Sequence, residues 1–258
     1  MEFLNDEQWA QYEREGFLKL GRVLENDELQ ALQTRIDDIM MGRADLDYNR
    51  LSMQLDSPDG KYENAGQQSR GHKGARLDYR KIQELEHDDL FLEFLSRPLF
   101  REICAHIYGA QTSVAAFRAM FMNKPASAGT LLPWHQDRWS NLDRDPLITL
   151  WTALDPATIE NGCVEVIAGS HKWGLLNPTH GSGFVTPEQG ERAMAENPTL
   201  FLEMEAGESV LMHNWLLHRS DKNHSAQSRR AFSVCYMDGE TRASNGEEFH
   251  QVFRAQTA

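Results

Sequence analysis

Three ligand-type side chains and one arginine carry the chemistry that can be read from this chain. His135 and Asp137 flank Gln136, His218 follows far downstream, and Arg229 stands eleven residues beyond it. In a strand, residues two apart point to one face, so His135 and Asp137 can converge on one ion while Gln136 points away. Two imidazoles and one carboxylate leave three coordination positions open. That is room for a bidentate 2-oxo acid and O2, and iron(II) suits the set.

The spacing alone is weak, and the chain supplies its own control. His87-Asp88-Asp89 repeats it within residues 83–95, which have helical texture. In a helix, positions i and i+2 diverge by about 200°, so this second pair is expected on a solvated helix face. Asp137 instead sits among Trp134, Trp139 and apolar strands, where an unpaired carboxylate is costly. A metal relieves that cost; a salt bridge to Arg138 or Arg144 is the alternative. For the third ligand, residues 210–218 offer His213 and His218, which face opposite sides of a regular strand. His218 lies where the chemistry turns polar, near Ser220 and Asn223, and is the expected ligand. His213 is expected to be packed or to support a ligand.

The elements that must position these residues follow from pattern and punctuation. Asn5 with Gln8 resembles a capping box, and Gly16 stands where that helix would stop. Asn26 can cap a second helix, with Leu29, Leu32, Ile36 and Ile39 at helical spacing and Gly42 at its end. Residues 43–78 are polar and patternless and read as a long loop, a candidate lid. Pro98 opens a further helix that Gly109 stops. After Gly109 come short β-type runs at 113–122, 147–155, 162–168, 209–217 and 231–236, with Asn161-Gly162 as a hairpin signal. Residues 171–205 read as polar and irregular. The expectation is one α+β domain over residues 1–258. Residues 1–110 would be mainly helical with the lid loop, and residues 111–258 a β-sandwich or small barrel.

Composition narrows the function classes. The 258 residues carry a formal net charge of -13, which disfavours nucleic acid or anionic membrane as a partner. No apolar run approaches the length of a membrane span, and the first residues lack the basic and apolar regions of a signal peptide. Cys104, Cys163 and Cys235 are scattered in apolar company, as expected of reduced, buried thiols in a cytoplasmic protein. The partner expected is a small-molecule substrate.

Several segments together resemble one known family. Asn123-Lys124-Pro125, Trp134-His135-Gln136-Asp137, Leu150-Trp151-Thr152-Ala153-Leu154, residues 161–171 and His218-Arg219-Ser220 stand in its order and spacing across nearly the whole chain. The resemblance is to the phytanoyl-CoA dioxygenase family of iron(II)/2-oxoglutarate-dependent oxygenases. It implies a double-stranded β-helix, a jelly-roll, cupin-like core with N-terminal and flanking helices. It implies His135, Asp137 and His218 as Fe(2+) ligands, and Arg229 as the clamp on the C5 carboxylate of 2-oxoglutarate, with Arg230 as the alternative register. Ser220 would touch the same carboxylate. Trp151, Met120 and Gln136 would line the co-substrate pocket, and Lys81 would reach the co-substrate or else be an exposed helical lysine. Related halogenases carry a small residue where Asp137 stands, so hydroxylation or another oxidation is implied, with O2 consumed and succinate and CO2 released.

Two other readings compete. One is a silent binding module on the same fold, which would not release succinate. The other is a cupin-type enzyme using another metal, which would not bind 2-oxoglutarate. The segments 43–78 and 171–205 are the candidates for substrate selection. Arg70, His72, Lys73 and Arg76 give the first a basic character that would suit an anionic substrate, or simply a solvated loop.

Overall fold

The computed structural model of the chain describes residues 3–255. Helix α1 (Asp6–Glu15) begins at the Asn5/Gln8 capping box and ends at Gly16, whose left-handed backbone turns directly into β1 (Phe17–Arg22). Helix α2 (Asn26–Met40) buries Leu29, Leu32, Ile36 and Ile39, the periodic face read from the sequence. Each such side chain contributes about 2 kcal/mol on leaving water. Its cap is Glu25 and not Asn26: the Glu25 N–H donates to the Glu28 carboxylate at 2.9 Å.

Residues 43–78, expected as a patternless loop, contain two strands and two short 3-10 turns. The strands are β2 (Ser52–Leu55) and β3 (Ser69–Arg70), and β4 (Tyr79–Gln83) follows. Lys81 therefore lies in a half-buried strand and not on an exposed helix. The helical control stretch also departs from expectation. His87 and Asp89 are exposed, but Asp88 is buried, caps α3 (Asp89–Leu95) and pairs with Arg35 at 2.7 Å. Helix α4 (Pro98–Tyr108) starts at Pro98 and stops at Gly109.

The rest is mainly strand. In order come β5 (Val114–Lys124), β6 (Leu132–His135), β7 (Ile148–Ala153) and β8 (Val164–Val166). Helix α5 (Pro187–Glu196) interrupts the stretch read as irregular. After it come β9 (Leu200–Leu202), β10 (Glu208–His213), β11 (His218–Ser220), β12 (Arg229–Asp238) and β13 (His250–Phe253).

These strands form two antiparallel sheets. The larger has nine strands in the order β1-β10-β7-β12-β5-β4-β2-β3, with β13 also on β5; the smaller is β6-β11-β8-β9. The arrangement is a jelly roll carrying helices on its outer side. The main apolar cluster joins α1 to α4 with one face of the larger sheet, through residues such as Ile36, Phe91, Phe100 and Phe232. A second cluster, including Trp151, Val166, Met212 and Ala231, fills the space between the sheets. A cavity of about 330 Å³ lies in that same space.

Candidate metal centre

The smaller sheet sets the two histidines. In its register His218 of β11 stands opposite His135 of β6, so their rings lie 4.0 Å apart between centroids. Each Nδ1 faces a carbonyl two residues back, Pro133 at 2.9 Å for His135 and Leu216 at 2.8 Å for His218. An N–H donated there leaves each Nε2 lone pair free to bind a metal. Burial, then the neighbouring His218, pushes His135 down to about 3, so it is neutral and ready to ligate at ordinary pH.

Asp137 completes the face. Its carboxylate oxygens lie 3.7 Å from His135 Nε2 and 4.0 Å from His218 Nε2. One ligand atom from each of the three residues falls within 4.8 Å of the others, so a single divalent ion can bridge them. Strand alternation does not place Asp137, because β6 ends at His135. Its N–H donates instead to the Asn214 carbonyl at 2.6 Å. Asn214 is itself fixed: it accepts from Thr149 Oγ1 at 2.8 Å and donates to the Pro146 carbonyl at 2.9 Å.

Gln136 does not line the cavity, contrary to expectation. Its amide donates to the Gly174 and Trp215 carbonyls and accepts from the Leu176 N–H, all within 2.9 Å. It pins the segment after β8 behind the two ligands. Gly183 belongs to the same lock. It has φ 71°, and a Cβ there would stand 1.8 Å from the Gln136 carbonyl oxygen. We expect Gly183→Ala to weaken metal binding at least tenfold and to lower the thermal midpoint. Left-handed backbone alone costs alanine about 1 kcal/mol, and the clash must displace the Gln136 carbonyl between the ligands. Iron titration and a melting curve check this; wild-type affinity in the variant would show that the turn adjusts freely.

Across the cavity stands the larger sheet. Arg229 is 4% exposed, and its guanidinium lies 5.5 Å from the Trp151 ring centroid. Burial lowers it to about 10, so it is a cation at neutral pH, and its Nε has no hydrogen-bond partner. Arg230 faces away, its guanidinium bidentate on Asp155 and bonded to Asp37 of α2 at 2.7 Å. Met120, Trp151, Ser220 and Lys81 line the cavity with Arg229 and the three ligand residues. Burial, then the nearby Arg80 and Arg118, lowers Lys81 to about 7.

The basic residues of the first selection segment are engaged elsewhere. Arg70 pairs with Glu84 at 2.8 Å, His72 bonds the Met40 carbonyl, Lys73 bonds Ser69, and Arg76 pairs with Asp78. His213 packs against His171, with 5.1 Å between ring centroids. All three cysteines are buried and unpaired, and burial raises Cys163 to about 11 and Cys235 to about 12. Asn214, Arg118 and Phe184 are parts of the site that the sequence reading missed. Phe184 stacks on the His135 ring at 5.2 Å.

Two imidazoles and a carboxylate facing a buried arginine, inside a jelly roll, define a mononuclear non-heme iron oxygenase. The chain belongs to the phytanoyl-CoA dioxygenase family: the family model described as Phytanoyl-CoA dioxygenase (PhyH) matches residues 12–231. It is accordingly an oxidoreductase, a 2-oxoglutarate-dependent dioxygenase. A probable phytanoyl-CoA dioxygenase of Caenorhabditis elegans is 27% identical, over 96% of this chain and 83% of that protein. A peroxisomal phytanoyl-CoA dioxygenase of Rattus norvegicus is 26% identical, over 90% of this chain and 68% of that one. Among solved structures, EctD from S. alaskensis with 2-oxoglutarate and 5-hydroxyectoine is similar with a TM-score of 0.72 at 17% identity, covering 94% of this chain and 79% of that one. Among the described residues no helix is long and apolar enough to cross a membrane.

Proposed function

We propose that this chain hydroxylates or otherwise oxidises a C–H bond of a small organic molecule, consuming O2 and 2-oxoglutarate and releasing succinate and CO2. The observation that carries this reading is the buried, unpaired Arg229 on the same cavity as His135, Asp137 and His218. In this reading the latter three hold Fe(2+). Arg229 pairs with the C5 carboxylate of 2-oxoglutarate, helped by the Ser220 hydroxyl. Trp151 and Met120 form the wall, and Lys81 supplies a second positive charge toward the co-substrate. Bound iron, 2-oxoglutarate and O2 supply the oxidising power, one oxygen atom going to succinate and the other to the substrate.

The protein's own share is placement, charge and dryness. The carbonyls of Pro133 and Leu216 hold the imidazoles in the ligating tautomer. The Asn214 carbonyl holds Asp137, and the apolar layer around Trp151 and Val164 keeps bulk water from the reacting carbon. Oxidation of a C–H bond asks no general acid or base of the side chains. Residues 61–65, which bring Tyr62 to the cavity wall, are the part of segment 43–78 we assign to a cover. The whole chain acts as one oxygenase domain, and the cytoplasm is its assigned compartment, on the strength of its unpaired buried thiols.

Anaerobic calorimetry with Fe(2+) and 2-oxoglutarate, followed by aerobic assay for succinate, tests the function. Binding of both with succinate formation is expected. Binding without succinate would favour a silent module, and failure of 2-oxoglutarate to bind would favour a different metalloenzyme. Asp137→Gly is expected to abolish oxidation and to weaken metal binding while leaving some of it. Chlorination need not follow, since halide also requires support around the opened position. Full oxygenase activity in Asp137→Gly would remove Asp137 from the ligand set.

A further inference from the structure

Arg118 is an arginine at this site that neither the metal centre nor the Arg229 pocket uses. It lies where β5 has no regular neighbour. On one edge β4 pairs only with Met120–Met122 and β13 only with Val114–Ala116, so residues 117–119 face a gap. On the other edge the register with β12 slips between Ser233 and Cys235, opposite this same stretch. Such bulges re-aim side chains. Arg118 adopts φ 59° there, a conformation that glycine takes freely and other residues take at a cost.

The gap opens a second cavity of about 490 Å³. Arg118 is the one residue shared by the linings of that cavity and of the cavity over the metal centre. Its guanidinium lies over the rings of Phe117 at 5.2 Å and Trp139 at 4.9 Å. The N–H edge of a guanidinium suits a planar, bidentate partner. Among the described residues it forms no ion pair. The carboxylate whose field it feels most is Asp137, and that charge is spent once Asp137 holds a cation.

Charge balance in the inner cavity points the same way. Its lining has four arginines, Arg80, Arg118, Arg219 and Arg229, and two lysines that burial pushes toward the neutral form, Lys81 and Lys124, against one carboxylate, Asp137. Arg219 is matched by Glu165 at 2.6 Å, Lys124 donates to the Thr130 carbonyl, and Arg80 donates to Gln54. Iron adds two positive charges. One 2-oxoglutarate dianion and Asp137 leave the lining net positive, which favours a further anion in this cavity.

We infer that Arg118 is the substrate-anchoring residue, and that the molecule oxidised is a free carboxylic acid whose carboxylate docks on Arg118 in the cavity over the metal centre. The inference rests on the oxygenase reading above. The outer cavity is acidic, with Glu84, Glu86, Glu247 and Glu248 against Arg50 and Arg70, so a carboxylate is better held on the inner side of Arg118. Aromatic walls at Tyr62 and Phe184 suit an apolar body behind the carboxylate.

The test uses the whole chain loaded with Mn(2+) and saturating 2-oxoglutarate, so that Arg229 is occupied and no turnover intrudes. A panel of straight-chain and aromatic carboxylic acids, each paired with its primary amide, is titrated by calorimetry against wild type, R118K and R118Q. At least one acid is expected to bind well above its amide. Loss of a charge-assisted contact should weaken that acid by a factor on the order of ten or more in R118Q, with an intermediate loss in R118K. Metal and 2-oxoglutarate are kept saturating in every variant, and the amide affinity should stay unchanged. With iron and O2, the same acid should stimulate succinate formation in wild type and much less in R118Q. Absence of any acid-over-amide preference, or equal acid binding by wild type and R118Q, overturns the assignment. If 2-oxoglutarate itself fails to bind the wild type, the oxygenase reading falls instead, and that result appears before any acid is added.

Discussion

Replacing His218 by alanine should abolish iron binding, and replacing His87 by alanine should leave it intact. His218 is buried, sits opposite His135 across the smaller sheet and presents Nε2 to the Asp137 carboxylate. Disturbing the residues that merely orient metal ligands costs about 10–100-fold in affinity, so deleting a ligand itself should cost more than that. His87 has the same spacing to a carboxylate in sequence, but it is exposed and its Nδ1 faces Arg50 at 3.0 Å. The only cluster of three metal-ligating side chains among the described residues is the one at His135. Equilibrium dialysis against Fe(2+) under anaerobic conditions, run on wild type, His218→Ala and His87→Ala, checks both halves. Normal binding by His218→Ala would mean that the third ligand comes from elsewhere. His213→Ala is a further control, since its ring packs on His171 away from the carboxylate.

The choice between His213 and His218 rests in the structure on a different ground from the one the sequence offers. Parity along one regular strand allows only one of the two, and the polar surroundings near Ser220 and Asn223 select His218. In the structure the strand does not continue: β10 ends at His213 in the larger sheet, and β11 begins at His218 in the smaller one. The two histidines are separated by a change of sheet, not by alternation. Asp137 tells a similar story, since it lies past the end of β6 and the carbonyl of Asn214 holds it. A pattern of types at fixed spacing recorded the outcome of these tertiary contacts without revealing them.

What stayed illegible had physical reasons. The strand β2 buries only Met53 of its four residues, and β3 is exposed throughout, so neither has an apolar period to read. Strand β2 is held by pairing with β4, and β3 only by pairing with β2. Helix α5 was readable in principle: Thr186 and Gln189 form a capping box and Pro187 opens the helix, but it buries little. Gln136 was placed by likeness, while its amide answers to three backbone groups that lie far away in sequence. Arg118 lay in a plain β-type run. Only the bulge and the gap between β4 and β13 make it different from its neighbours. The helical faces of α2 and α4 and the main strands were legible because burial there is periodic.

Arg229→Lys should lower the affinity for 2-oxoglutarate by about thirtyfold to several thousandfold, equivalent to roughly 2–5 kcal/mol, while iron binding stays near wild type. A lysine keeps the charge but loses the planar fork that pairs two donors with two carboxylate oxygens. Shorter 2-oxo acids without the second carboxylate should lose their relative disadvantage in the variant. Arg230→Ala is the internal control. It faces away from the cavity and should lower stability by freeing Asp155 and Asp37, with little effect on 2-oxoglutarate. The burial of Arg229 adds a second, opposite expectation. A cation that is 4% exposed with no ion-pair partner among the described residues burdens the ligand-free fold. Arg229→Met, similar in length and apolar, should therefore raise the stability of the ligand-free protein by about 1–4 kcal/mol. It should also erase the stabilisation that wild type gains from 2-oxoglutarate, about 2.7 kcal/mol at a hundred times Kd. Thermal melts of both proteins with and without 2-oxoglutarate, at fixed metal, read the two effects together. A variant both less stable without ligand and still stabilised by 2-oxoglutarate would show that Arg229 serves the fold and that the co-substrate is held by other groups.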